Sequence, residues 1–174
     1  LMLRIFANDA HDAPAVDQYL RTVAEGLPPG PHWLATLAKG IRRDFSYIRR
    51  TERGVQTPSE TIARASGTCR DFAVLLVEMV RASGLPARFV SGYLYVPSRG
   101  RPDILGGGAT HAWAQVLLPD AGWVDVDPTN GQVGNSNLIR VALVAEPSEA
   151  VPLFGTYVGA QSDSLGMSVT VKVT

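Results

Sequence analysis

One cysteine, Cys69, is all the thiol that this 174-residue chain contains. No disulfide can form within the chain, which excludes a cross-linked scaffold and fits a reducing compartment such as the cytoplasm. Charge of one sign is also missing: 16 basic and 16 acidic residues cancel to a formal net charge of zero. That balance gives no electrostatic ground for a nucleic-acid partner or an anionic membrane surface. No apolar run nears the roughly 18 residues of a membrane span. No basic-then-apolar leader opens the chain, and it holds no repeat or low-complexity tract. It starts at Leu1 rather than Met; a processed or shortened chain is the expectation, with any address on a segment ahead of it.

What is present suffices for a core. Hydrophobic residues make up 45% of the chain, and a length of this order fits one domain. Residues 14–25 read as a short helix opened by Pro14 and ended by Gly26 and the Pro28-Pro29 pair. A second helix is expected over 31–45, with Trp33, Leu34, Leu37, Ile41 and Phe45 largely on one face. Residues 46–58 look like an extended connector whose Arg49, Arg50 and Arg53 form a solvated face, followed by one or two turns over 59–63.

The stretch Gly67-Thr68-Cys69-Arg70-Asp71-Phe72 then runs a polar turn into an apolar helix. Phe72, Ala73, Leu75, Leu76, Met79 and Val80 keep helical spacing, and Gly84 and Pro86 supply the stop. Cys69 falls at or just before the first turn, where free backbone N–H groups and the helix dipole favour an anion. The plain alternative for a lone cysteine is a small buried hydrophobe.

Beyond residue 86 the texture turns to strands over 87–96, 111–118 and 122–126, with a hairpin turn at 119–122. Residues 97–110, with Gly100 and Gly106-Gly107-Gly108, read as a surface loop just ahead of His111. Further strands are expected over 138–145 and 165–173. Helices first and strands after predict an α+β fold with an antiparallel sheet, as a single domain over 1–174 with its core at about 15–145.

His111 opens one of these strands and Asp127 ends the next. If the two pair through the turn at 119–122, both residues reach the same end of the sheet, and the Cys69 helix can pack across it. Thiol, imidazole and carboxylate would then meet, the arrangement in which a base activates a nucleophile and a third group orients the base.

Thr68-Cys69-Arg70-Asp71-Phe72, Ser91-Gly92-Tyr93-Leu94, Thr110-His111-Ala112-Trp113 and Gly122-Trp123 through Asp127-Pro128-Thr129-Asn130 together resemble the bacterial transglutaminase-like superfamily, whose core is papain-like. The resemblance covers roughly residues 15–145 in the order Cys, His, Asp. It implies Cys69 as nucleophile, His111 as general base and acid, and Asp127 as the orienting carboxylate. Asp125 stands where relatives often have a small residue, and the Asp-Pro-Thr-Asn context favours Asp127 as the partner of His111. Such relatives often carry an extra β domain before the core; the expectation is that this chain lacks it and that a longer protein would supply it.

The function expected is a cysteine-dependent hydrolase or acyl transferase acting on a peptide or amide carbonyl through a thioester. Hydrolysis is favoured over amine transfer because water is abundant and no amine site is visible. Among substrate contacts, Arg70, Asp71, Tyr93 and Trp113 are the candidates; core packing for the two aromatics and charge satisfaction at the helix start for Asp71 are the plainer roles. No cofactor is called for. Zinc on Cys69, His111 and Asp127 is the weaker alternative, since the chain has no close-spaced ligand pair. A non-catalytic scaffold that binds a peptide or partner domain is the alternative of a different class. His11 and His32 lie outside every motif.

Overall fold

The computed structural model describes residues 12–50, 54–96, 105, 109–151 and 155–163. Two helices, α1 (Ala13–Ala24) and α2 (Pro31–Asp44), lead into a two-residue strand β1 (Ser46–Tyr47), a short helix α3 (Pro58–Arg64), a second two-residue strand β2 (Ser66–Gly67) and the long helix α4 (Cys69–Ala82). Strands β3 (Ala87–Leu94), β4 (Thr110–Leu118), β5 (Gly122–Asp127), β6 (Gln132–Val133) and β7 (Leu138–Val144) follow, then 3-10 turns at Pro147–Ala150 and Gln161–Asp163. The later strands form one antiparallel sheet in the order β6-β5-β4-β3-β7. This is the α+β arrangement that the sequence texture predicts. The strand expected over 165–173, most of the loop over 97–110, and Arg53 and His11 lie outside the described residues.

Helix α2 starts at a proline, whose missing N–H costs nothing in the first turn. It buries Trp33, Leu34, Leu37, Ala38 and Ile41, an apolar stripe of period 3.6. Helix α4 is different, because it is buried on nearly every side. Phe72, Leu75, Leu76, Met79 and Val80 are 0–1% exposed, each worth about 1.5–3 kcal/mol of transfer energy when fully buried. Their cluster includes Ala87, Ala114, Val116 and Val126 from one face of the sheet; α4 lies against β3 and β4, and α2 covers β5.

Even the charged residues inside α4 are buried, and they are tied down. Arg81 donates to Glu78 (2.9 Å) and to the carbonyls of Ala87 and Ala145 (2.8 Å for Ala145), joining the end of α4 to the start of β3 and the end of β7. A buried guanidinium is tolerable only with such partners.

The connector over 46–58 starts extended, as expected, but its first residues are paired in a parallel ladder with β2, Ser46 with Ser66 and Tyr47 with Gly67; α3, about two turns where one or two were expected, carries a Thr57–Glu60 capping box. Two-residue strands are too short to leave a period in a sequence. Between α3 and β2 the chain reverses through Ala65 at φ 47°, a left-handed conformation that an L residue adopts at a cost of about 1–2 kcal/mol.

Gly92 sits at a bulge where β3 meets β7 and stands directly opposite His111 on β4. A Cβ at this position would collide with the Ile139 carbonyl of β7 and meet Cη2 of Trp113 at 2.8 Å.

Candidate active site

Helix α4 begins at Cys69 because Thr68 caps it. Thr68 Oγ1 accepts from the backbone N–H of Asp71 (3.4 Å), and Asp71 Oδ2 accepts from the backbone N–H of Thr68 (2.7 Å), a reciprocal capping box. Asp71 Oδ1 accepts from the backbone N–H of Gln56 (2.7 Å) and from Arg50 Nη2 (2.9 Å). A Cβ on Gly67 would stand 2.9 Å from Asp71 Cβ, so the turn before the cap has no room for a side chain. The β1–β2 ladder then brings Tyr47 against the small cluster that contains Cys69, Ala73, Phe89 and Ala112.

His111 is 1% exposed at the start of β4. Its Nε2 lies 2.9 Å from Asp127 Oδ2. Asp127 is fully buried and is itself held by the turn that follows β5: Thr129 N–H (3.0 Å) and Asn130 N–H (3.2 Å) donate to Oδ1, and Asn130 Nδ2 (2.8 Å) donates to Oδ2. Asn130 also bonds Leu105 through both its amide atoms, 2.8 Å to the N–H and 3.1 Å to the carbonyl. The run Asp-Pro-Thr-Asn is therefore a device for fixing one carboxylate against one imidazole.

The other imidazole nitrogen, Nδ1, is buried and has no hydrogen-bond partner among the described residues. Cys69 lies on that ring's electrostatic horizon. Burial by itself would lower the His111 pKa from 6.5, but the Asp127 hydrogen bond and the Cys69 thiol outweigh it and raise the value to about 10. The Cys69 sulfur therefore lies close enough to act on the ring as a hydrogen-bonding and charged neighbour, although no bond of full geometry reaches Nδ1, a looseness common in sites without bound substrate.

Cys69 is 7% exposed and opens into a cleft of about 310 Å³ lined also by Tyr47, Arg49, Arg50, Arg70 and His111. Burial first, then the nearby Cys69 and Asp127, push the Tyr47 hydroxyl above its usual range, which keeps it a neutral donor. A larger groove, about 430 Å³ along α1, is lined by helix residues such as Asp17 and Arg21 and holds no thiol or imidazole.

Of the seven residues singled out from the sequence, Cys69, His111 and Asp127 come together, and Asp127 rather than Asp125 faces the imidazole. Asp125 instead accepts from Trp113 Nε1 and Gln115 Nε2, each at 2.8 Å. Trp113 is 0% exposed and stacks on His111 with centroids 6.1 Å apart, so it backs the imidazole and does not line the cleft. Asp71 is also 0% exposed with its oxygens occupied, which gives it the capping role and removes it from reach of a substrate. Arg70 lines the cleft, yet its guanidinium donates to the carbonyls of Pro147 (2.9 Å) and Ala150 (3.2 Å) and lies 4.9 Å from the Phe89 ring centroid. Tyr93 is half-buried on β3. Sequence reasoning missed Tyr47 and Arg50. Arg50 is not part of a solvated face: its side chain is 15% exposed and ion-paired to Asp71. Nothing local marks it, because its partner is 21 residues away.

The family model of the transglutaminase-like superfamily matches residues 18–128. An uncharacterised protein of Mycobacterium tuberculosis is 35% identical over 144 residues, covering 79% of this chain and 46% of its own length. The chain thus spans about half the length of the curated relatives it matches. A protein-glutamine gamma-glutamyltransferase of Pseudomonas aeruginosa is 36% identical over 66 residues, 37% of this chain and 10% of that protein. Among solved structures, a candidate cysteine protease from Cytophaga hutchinsonii superposes with a TM-score of 0.68 at 19% identity, over 85% of this chain and 48% of that one. The periplasmic domain of TgpA from Pseudomonas aeruginosa gives 0.56 at 22% identity, over 73% and 48%. These two likenesses establish the fold. No helix among the described residues is long and apolar enough to cross a membrane.

Proposed function

The chain belongs to the transglutaminase-like superfamily, and from that premise we propose that it is a cysteine-dependent acyl transferase working on a peptide or protein amide through a thioester at Cys69. One observation carries the reading: His111 bonds Asp127 through Nε2, its other nitrogen is buried without a bond of full geometry, and the Cys69 sulfur is near enough to act on the ring. In this reading the sulfur attacks the amide carbonyl, the carbon–nitrogen bond breaks, and the imidazolium gives its proton to the departing amine. Water or an amine then attacks the thioester, with His111 taking its proton, and the thiol is regenerated.

What the site offers the reaction is a proton donor already in position and a donor aimed at the oxyanion, for which the backbone N–H of Cys69 in the first turn of α4 is the candidate.

Hydrolysis is the leading outcome. Amine transfer is the second reading, favoured by the short match to the Pseudomonas aeruginosa glutamyltransferase. Peptide-library turnover followed by mass spectrometry, with and without a primary amine, separates them: cleaved products support hydrolysis, and amine-adduct masses support transfer. Iodoacetamide should label Cys69 and stop both, whereas full activity of Cys69→Ala ends the proposal. The cytoplasm is the compartment this reading assigns, because a lone reactive thiol stays reduced there. The TgpA neighbour is a periplasmic domain, and fractionation of the native host decides between the two.

A further inference from the structure

The rim of the cleft is cationic. Arg49, Arg50 and Arg70 line it together with Cys69 and His111, and no acidic side chain lines it among the described residues. Only Arg50 is neutralised, by the buried Asp71 at 2.9 Å. Arg70 spends its bonds on the uncharged carbonyls of Pro147 and Ala150. Arg49 is exposed and has no ion-pair partner among the described residues. The remaining nearby carboxylate, Asp127, is fully buried and bonded to His111. A chain with zero net charge therefore places beside its one thiol two guanidinium groups, Arg49 and Arg70, that make no direct ion pair among the described residues, Arg70 feeling Asp71 only at longer range.

We propose that this cleft selects acyl donors carrying a carboxylate side chain, aspartate or glutamate, beside the reacting amide, and that Arg49 is the residue that reads it. Arg70, anchored at the floor, sets the positive potential; Arg49, free at the rim, is placed to pair with the incoming carboxylate. Two charges several ångströms apart in a partly hydrated cleft give a preference of about three- to tenfold, and salt should erode it. The substrate class rests on the acyl-transfer reading, but the cleft's charge preference can be measured without turnover.

Alkylation of Cys69 by iodoacetate, which is anionic, and by iodoacetamide, which is neutral, supplies that measurement. The ratio of the two rates is taken for the wild-type chain, Arg49→Gln and Arg49→Glu, with folding checked by circular dichroism. His111 is unchanged throughout, so its charge cancels from the comparison. The ratio should fall in Arg49→Gln and fall further, by about three- to tenfold in all, in Arg49→Glu; an unchanged ratio in both variants overturns the role of Arg49. In a second arm, matched peptides carrying Glu, Gln or Lys beside the reacting amide are turned over at low and high salt. Glu should lead at low salt and lose its lead at high salt, with Arg49→Glu moving the preference to Lys. Equal rates for Glu and Lys overturn the substrate class. If no peptide of any charge reacts, the acyl-transfer reading fails, while the alkylation ratio still decides the charge reading.

Discussion

Two buried carboxylates, Asp71 and Asp127, solve the same problem and reach opposite ends. Each is 0% exposed, and each accepts four hydrogen bonds: Asp71 from Arg50, Gln56 and both donors of Thr68, Asp127 from Thr129, twice from Asn130, and from His111. The Asp71 cluster is structural: a cap, a connector and an arginine all converge on one carboxylate. The Asp127 cluster is left open, since its imidazole keeps Nδ1 without a partner beside Cys69. Both networks keep buried polar atoms without a hydrogen bond, Arg50 Nε and Gln56 Nε2 around Asp71, His111 Nδ1 and Thr129 Oγ1 around Asp127; only His111 Nδ1 belongs to an imidazole on which a thiol acts, so it is the one that can do chemistry.

The comparison is broken most directly by exchanging the lesions. Cys69→Ala should abolish turnover while leaving the melting temperature within a few degrees. Asp127→Asn should lower kcat by up to about 10⁴-fold, near 5 kcal/mol of barrier, because the imidazole loses its orienting charge. Steady-state kinetics on folded protein check both, and a loss under tenfold for Asp127→Asn would place the carboxylate outside the reaction. Asp71→Leu should instead act on folding, costing about 3–5 kcal/mol by stranding Arg50. Denaturant melts of Asp71→Leu, Arg50→Met and the double variant test this; a double variant no more stable than Asp71→Leu alone would show that the pair is not the cause.

His111 sharpens the contrast through pH. Its folded pKa is raised from 6.5 to about 10, so protonation of the imidazole contributes stability that is complete below pH 6.5 and is lost as pH rises through 10. The melting-temperature advantage of the wild-type chain over His111→Gln should therefore shrink between pH 7 and 10, while Asp71→Leu shows no such trend. A difference that stays flat over that window contradicts the assigned ion pair. Smaller effects lie at the entry to α4. Thr68→Ala should cost about 1 kcal/mol as a lost N-cap, and Ala65→Gly should gain about 0.5–1 kcal/mol by relieving the left-handed turn, both read from thermal or urea melts.

Much of this was legible in the sequence, for reasons that differ by element. The α4 stretch announced itself through an apolar period and a polar turn, and the long strands through β-branched runs and a Pro-Asp-Ala-Gly hairpin. His111 and Asp127 could be matched because both sit at ends of consecutive strands. The β1–β2 ladder was hidden, as two residues carry no period, and so was the Arg50–Asp71 pair, since an ion pair across a turn and a helix leaves no local trace. For Trp113 the sequence left two roles open, with core packing the plainer, because aromatic character alone does not say which face of a strand a side chain takes; the Asp125 acceptor on the neighbouring strand decides it.

Gly92 carries a last consequence. The indole of Trp113 rests in the space that a side chain at 92 would need, and His111 lies against that indole. A single added methyl group at this position would have to push the outer strand away or tilt the indole, and the imidazole with it. A relative with alanine here would need its edge strand set farther out or a slimmer ring at position 113, so these three positions are expected to vary together or not at all.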